Sequence, residues 1–406
     1  MRVLIYGINY APELTGIGKY TGEMAAWMAA EGHEITVLTA PPYYPDWCVH
    51  PNYSAWCYSH EQRDGVSVYR CPLYVPRKPA SWSRVLHLLS FSLTSTLALF
   101  WLWRKRPQLL IYVVPTLFCA LQALLYARLT GARLVLHIQD YEVDALFGLG
   151  MAKWKWLKSF ALWCETRILR SADTVSTISR EMMLRAQTKG ALAGNLCFFP
   201  NWSEVSRFVG VQPDLALLAR LGVLPSQRVI LYSGNLGEKQ GLELVLDAAW
   251  QLRAHTDWLF LIVGEGGGKV RLQKRAEELG IANVRFAPLQ PYNDLPALLA
   301  SADCHLVVQR RGVADAVLPS KLTNILAVGG QAVITADSDT TLGLLCLDHA
   351  GIATCVTPED TTALVAGITT AMSLPRFNQV AAHYAATYLD KRAVLTRFME
   401  DVSVLK

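Results

Sequence analysis

Val229-Ile-Leu-Tyr-Ser-Gly234-Asn-Leu-Gly-Glu-Lys-Gln-Gly241 and, further on, Leu259-Phe-Leu-Ile-Val-Gly264-Glu-Gly-Gly-Gly268 decide the fold of this chain. Each opens as a continuous apolar run of strand length, breaks into a glycine-rich turn and gives way to a helical pattern. An unbroken apolar run reads as a strand buried on both faces, which is the signature of a parallel sheet covered by helices. Glycine-rich turns ahead of helices leave backbone N–H groups bare where phosphate binds well. Two such turns in one domain, followed by Asp315-Ala-Val-Leu-Pro319-Ser320-Lys321, imply a nucleotide-diphosphate site at the carboxyl ends of parallel strands.

Working outward, the N-terminal half repeats the pattern. Arg2–Gly7, Glu34–Thr39, Val66–Arg70, Gln108–Val113, Arg133–Ile138, Asp173–Thr177 and Asn195–Phe199 read as strands. A loop carrying Gly16-Ile17-Gly18 leads into a helix ending near Ala30, the Pro- and aromatic-rich Pro41–Trp56 reads as a surface loop, and Ser179 reads as a helix N-cap. Pro200-Asn201-Trp202 closes this half. The pattern resumes from Arg228 to about Ala371, and a last helical stretch, Asn378–Val402, follows Pro375. The expected fold class is α/β, with two Rossmann-like, doubly wound domains facing a cleft. The expected boundaries are 1–203, 204–375 and a helical segment 376–406 that returns to the first domain.

The length of 406 residues fits two domains, and an apolar share of 52% against 17% charged supplies a large core. A net charge of +5 and a positive mean hydropathy point toward an anionic membrane surface, or else to a large core with a mildly basic exterior. Nothing points to nucleic acid. The nine cysteines show neither CxxC pairing nor zinc spacing, which excludes a disulfide scaffold or zinc module. They read as reduced, buried thiols of a cytosolic protein. Met1–Gly7 is too short an apolar run for a signal peptide and reads as the first core strand.

The Gly16–Gly18 and Gly234–Gly241 turns, Asp173–Ser179, Phe199-Pro-Asn201 and Pro319-Ser-Lys321 together resemble the retaining family-4 glycosyltransferases of the GT-B fold over nearly the whole chain. Tyr6–Tyr20, His137–Asp144 and Asp315–Gly330 are similar, more narrowly, to the fucosyltransferases of enterobacterial colanic acid biosynthesis. The resemblance implies transfer of fucose from GDP-fucose to a polyprenyl-diphosphate-linked sugar at the cytoplasmic face of the inner membrane. It implies no cofactor beyond the nucleotide-sugar substrate.

On that reading the donor sits in the second domain. Gly234, Asn235 and Gly237, with Glu265 and Gly266 of the second turn, approach its diphosphate, while Lys239, Lys321 and Arg310 or Arg311 balance the departing charge. Pro319 and Ser320 open the next helix. The family's two glutamates fall on Ala316, with Asp315 beside it, and on Asn324, whose amide can bond a ribose hydroxyl. Asn235 and Gln240 stand where the family usually carries Arg and Lys. No convincing Asp-x-Asp metal motif is read in a strand-end loop, so no metal is expected. In the first domain Gly16 and Gly18 approach the donor phosphates and Glu13 the acceptor. His137 closes a strand, with the acidic run Asp140, Glu142 and Asp144 beyond it suited to orienting and deprotonating an acceptor hydroxyl.

Val85–Trp103 is apolar and bracketed by Arg77, Lys78, Arg84 and by Arg104, Lys105, Arg106. A span needs ~20 apolar residues, but spanning here would split one sheet across the bilayer. The alternatives are a buried helix and an interfacial one anchored by Trp82, Trp101 and Trp103, with Trp154-Lys-Trp-Leu-Lys158 as a second patch. Two other functions fit the same pattern: a non-hydrolysing sugar-nucleotide epimerase, and a catalytically silent binding subunit of a polysaccharide assembly complex.

Overall fold

Apolar runs become strands and the segments between them become helices in two successive α/β units. The computed structural model describes residues 1–13, 16–77, 81–114, 117–141, 155–237, 240–311 and 318–404. Glu142, Asp144, Lys239, Asp315 and Ala316 lie outside these residues, as do Lys78 and the side chains of 154–158. One unit comprises Met1–Asn201 with Leu395–Lys406, the other Trp202–Val394.

The first unit runs β1 (Arg2–Tyr6), α1 (Gly16–Ala30), β2 (Glu34–Thr39), β3 (Ser59–Arg63), β4 (Val66–Arg70), α2 (Ser81–Leu102), β5 (Leu109–Val114), α3 (Leu117–Thr130), β6 (Arg133–Ile138), α4 (Lys155–Ser171), β7 (Thr174–Thr177), α5 (Arg180–Thr188) and β8 (Leu196–Phe198). Its sheet has the order β3-β4-β2-β1-β5-β6-β7-β8. Every neighbouring pair is parallel except β3–β4. That hairpin is absent from the sequence reading. It turns through Asp64 (φ 50°) and Gly65 (φ 78°), the left-handed pair that a tight hairpin requires. Ser179 caps α5 as expected, accepting from the Met182 N–H at 3.1 Å.

The second unit runs α6 (Leu215–Arg220), β9 (Arg228–Ser233), α7 (Glu243–Gln251), β10 (Trp258–Val263), α8 (Lys269–Glu278), β11 (Val284–Ala287), α9 (Leu295–Ala300), β12 (Cys304–Val307), α10 (Ser320–Ala327), β13 (Ala332–Thr335), α11 (Thr341–Asp348), β14 (Thr354–Val356), α12 (Thr361–Ser373) and α13 (Gln379–Tyr384). Its sheet, β11-β10-β9-β12-β13-β14, is wholly parallel. Strand alternation splits the core into two layers: Val229 and Leu231 face one, Ile230 and Tyr232 the other. The final helical stretch is not continuous. Asp390 is extended and its carboxylate accepts from the Ala393 N–H at 3.0 Å, starting α14 (Lys391–Val404) afresh. Phe398 of α14 stacks on Phe199 at 3.8 Å.

All nine cysteines are free, but only Cys71, Cys119, Cys197 and Cys304 are buried. Cys48, Cys57 and Cys355 are exposed, which corrects the expectation of a wholly interior set. Cys48 and Cys57 fall outside any strand or helix, and Cys355 lies on the edge strand β14, so no layer covers them.

Candidate active site

In each sheet the strand order reverses once, between β1 and β5 and between β9 and β12. The carboxyl ends of strands at such a reversal leave a crevice where ligands bind in doubly wound folds.

In the second unit the two glycine-rich turns leave β9 and β10 side by side. The Leu236 N–H donates to the Glu265 carbonyl at 2.9 Å, and the Gly268 N–H to the Leu236 carbonyl at 2.8 Å. This fit requires glycine. A Cβ on Gly264 would overlap the Gly234 carbonyl oxygen, and one on Gly266 would lie 2.5 Å from Asn235 Oδ1. The stitching has a consequence for phosphate binding, because the N–H groups of Gly234 and Leu236 are both used within the fold. Helices α7 and α8 after these turns start without a side-chain cap, and so does α10, where Pro319 offers no side-chain acceptor to the first turn.

Lys321 rises from that first turn toward β9. Its Nζ lies 3.4 Å from the Tyr232 hydroxyl and 4.9 Å from the ring centroid. Tyr232 in turn donates to the Asn235 carbonyl at 2.8 Å. A tyrosine at the last inward position of β9 thus joins the glycine turn to the α10 lysine, a link the sequence reading lacked. Arg310, beyond β12, is exposed, and its side chain runs beside Gly241, where a Cβ would stand 2.9 Å from Arg310 Cγ. Glu243 holds Arg310 at 3.5 Å and Arg271 at 2.6 Å. Arg311 pairs with Asp337 at 3.2 Å.

The structure therefore gathers Gly234, Asn235, Gly237 and Gly266 in the two adjoining turns and brings Lys321 to them, with Pro319 and exposed Ser320 at the same helix start. Two candidates point elsewhere. The Glu265 side chain is exposed and pairs with Lys269 at 2.6 Å. Asn324, one turn along α10, accepts at Oδ1 from the Ser203 hydroxyl at 3.1 Å.

In the first unit Gly18 lies against Glu13: a Cβ there would overlap Glu13 Oε2. The Glu13 carboxylate is buried, accepting from Asn9 Nδ2 at 3.0 Å and from the Tyr43 and Tyr44 N–H groups at 3.1 Å each. Burial raises its pKa against those hydrogen bonds. Glu13 thus braces the loops after β1 and β2. Gly16, at φ 59° and exposed, opens α1.

His137 is buried in β6 against Phe199, with 4.9 Å between ring centroids. Ser176 Oγ and Gln139 Nε2 each lie 3.0 Å from one of its ring nitrogens. An amide NH₂ can only donate, so Nε2 accepts and the proton sits on Nδ1. Burial lowers the pKa to about 3, leaving a neutral imidazole with both nitrogens engaged inside the unit. Asp140 is exposed beyond the strand end. Among the described residues no three His, Cys, Asp or Glu side chains form a ligand set for a metal.

Comparison with known proteins gives three consistent results. The family described as glycosyl transferase 4-like domain matches residues 15–202, and glycosyl transferases group 1 matches residues 218–388. A protein of Escherichia coli (strain K12) named as a colanic acid biosynthesis glycosyl transferase, WcaI, is 56% identical over 407 residues, covering 99% of this chain and 100% of its own length. Among solved structures, the sucrose-phosphate synthase of Thermosynechococcus elongatus superposes with a TM-score of 0.66 at 15% identity, covering 100% of this chain and 98% of that one. Anabaena HepE in complex with UDP and glucose gives 0.62 at 14%, covering 100% of both chains.

Proposed function

The chain belongs to the GT-B glycosyltransferases that join a glycosyl transferase 4-like domain to a group 1 domain, and on that premise we propose that it transfers fucose from GDP-fucose to a lipid-linked oligosaccharide during assembly of a colanic-acid-type exopolysaccharide. The observation that carries this reading is the full-length 56% identity to the colanic acid relative, taken with Lys321 beside the stitched glycine turns. The donor diphosphate lies against Gly234–Gly237 and Gly266 and at the start of α10. Lys321, Lys239 and Arg310 offset the charge of the leaving group, so that transfer proceeds with retention and without a metal. Asp140 and Glu142 orient the acceptor hydroxyl, with His137 holding Gln139 from the interior. Glu13, Gly16 and Gly18 shape the loop on the acceptor side. The enzyme works on the cytoplasmic face of the plasma membrane, where a polyprenyl-diphosphate acceptor presents its sugar.

The test is incubation of purified protein with GDP-, UDP- and dTDP-sugars and a membrane extract, with and without EDTA. Fucose reaching the lipid fraction from GDP-fucose alone, unaffected by chelation, is the expected outcome. Isomerised donor would indicate an epimerase, and donor binding without turnover a silent subunit. Transfer from another donor would replace the sugar, and EDTA-sensitive transfer would remove the metal-free mechanism.

A further inference from the structure

Helices α2, α3 and α4 are the crossovers β4→β5, β5→β6 and β6→β7, which advance in one direction across a parallel sheet. Right-handed crossovers place all three on one face. α3 packs against both α2 and α4. Gln122 Nε2 donates to the Ser92 hydroxyl at 2.8 Å, and the Tyr126 hydroxyl to the Leu102 carbonyl at 2.9 Å, so α2 and α3 run alongside each other.

A helix on a sheet normally turns its polar side to water. Here the outer positions of α2 and α3 are largely apolar, and α4 adds two exposed aromatics. On α2, Leu93 is 71% exposed and Phe100 75%, within a stripe that also includes Trp82, Leu86, Leu97 and Trp101. The stripe continues on α3 through Leu121 (61%), Leu125 and Leu129, and on α4 through Phe160 and Trp163 (55%). Together they form an apolar face on the order of 500 Å², from ~1.5 Å rise per residue and ~9 Å between packed helices. That is the upper range for a single patch on a monomer. The face thins at α5, whose exposed positions are polar or charged (Arg180, Glu181, Arg185, Gln187 and Thr188) apart from Leu184.

Charge identifies the occupant. α2 and α3 contain no Asp or Glu, and the one carboxylate of α4, Glu165, is buried against Lys189 at 2.6 Å. Exposed cations border the face: Arg104, Lys105 and Arg106 beyond α2, Arg128 on α3, and Arg167 and Arg170 on α4. Of these, Lys105 has a carboxylate, Glu34, at 3.9 Å. A second copy docked by two-fold symmetry would set cationic rim against cationic rim. Water alone leaves the apolar area exposed. An anionic bilayer satisfies both features, burying the side chains at headgroup depth and pairing the rim with lipid phosphates. The Trp82–Lys105 segment is long and apolar enough to cross a membrane. β4 and β5 on either side of it belong to one sheet, so it lies in the interface instead.

We propose that the outer face of α2, α3 and α4 together is an in-plane docking surface for an anionic lipid bilayer. The proposal holds whichever sugar is moved and whether or not the acceptor is lipid-linked. The test is co-sedimentation of the full chain with phosphatidylcholine vesicles, with and without phosphatidylglycerol, at low and high salt. Wild-type protein binds the anionic vesicles, at least tenfold more weakly when the lipid is neutral or the salt high. Leu121→Glu with Leu125→Glu on α3, and separately Trp163→Glu on α4, each lower binding at least tenfold with unchanged thermal unfolding. Leu121→Gln with Leu125→Gln serves if the glutamate protein does not fold. Wild-type protein that ignores anionic vesicles at low salt overturns the proposal. So do α3 and α4 variants that bind like wild type, which would leave α2 acting alone. A lipid-free dimer by light scattering that these variants dissociate would show that a second copy covers the face.

Discussion

Arg70–Glu61 in the first unit and Arg275–Asp247 in the second are ion pairs of the same 2.6 Å length. Their carboxylates are similarly open, but their arginines sit in opposite surroundings. Arg70 is 2% exposed and also donates to the Ala40 and Ala11 carbonyls at 2.9 and 2.7 Å, with its guanidinium 4.7 Å from the Tyr53 ring. Arg275 and Asp247 are both partly open to solvent, between helices α7 and α8. The difference runs through the molecule. The first unit takes Glu13, Arg70, His87, His137 and Glu165 inside and turns leucines and tryptophans outward. The second buries Asp303 and His305 but carries most of its ion pairs on helix surfaces, such as Arg271–Glu243 and Lys274–Glu278. The lesson is that the distance between two charges says little about what they contribute. Solvent access decides it.

Removing the buried member of the contrast should have the largest effect. Arg70→Ala strips donors from Glu61 and from two loop carbonyls, leaving buried acceptors unpaired. A cost of about 3–5 kcal/mol is expected, read as a shift in the urea midpoint at constant slope. A loss below about 1 kcal/mol would place Arg70 in the same class as a surface arginine and erase the contrast.

Next comes Lys321→Ala, which separates the units by function. Losing a cation from the leaving diphosphate should cost about 2–4 kcal/mol of transition-state stabilisation, on the order of 30- to 1,000-fold in turnover. Binding to anionic vesicles should stay at the wild-type level, because that surface is assigned to the first unit. Turnover within threefold of wild type would remove Lys321 from the site.

How much of this was legible in the sequence varies with the physics involved. The parallel strands were, because a strand buried on both faces must be an apolar run, as in Leu259–Val263. The hairpin β3–β4 left a signal in Asp64-Gly65, but Ser59–Arg63 is an exposed polar edge strand with no apolar alternation to expose it. Arg70 read as the polar end of a strand, since nothing local reveals three acceptors brought from Ala11, Ala40 and Glu61. The glycine turns were readable as turns. That Tyr232 would support Lys321, and that Asn324 would turn toward Ser203, depends on packing between distant segments. The outward leucines of α3 and aromatics of α4 went unread because sequence gives helical period without saying which side meets water.

A third test concerns the buried histidines. His137 has a folded pKa of about 3 and His87 about 4, both lowered first by burial, and His305 in the second unit is likewise at about 4. A lowered pKa means the unfolded chain takes the proton first. The stability of the neutral ring is therefore present above ~6.5 and lost as pH falls from there toward the folded value. At pH 5 each such group should have lost about 2 kcal/mol. His137→Gln keeps a polar group near Ser176 without a titrating ring. Its deficit relative to wild type should shrink by about 2 kcal/mol between pH 7 and pH 5 in urea unfolding. An equal deficit at both values would mean the ring is not held neutral in the interior.

The smallest expected effect closes the comparison from the exposed side. In Arg275–Asp247 each charge keeps access to water, so separation costs little hydration to reverse. Exposed pairs of this kind contribute about 0.2–1 kcal/mol, and salt screens them over ~8–10 Å. Arg275→Ala should lower stability within that range, and raising the ionic strength should shrink the difference further. An arginine stem can contribute packing as well as charge, so Arg275→Met separates the two. Met should recover whatever the stem contributes. If Arg275→Ala instead costs as much as Arg70→Ala and the cost is indifferent to salt, then the pair between α7 and α8 is effectively desolvated, and solvent access is not what distinguishes the two units.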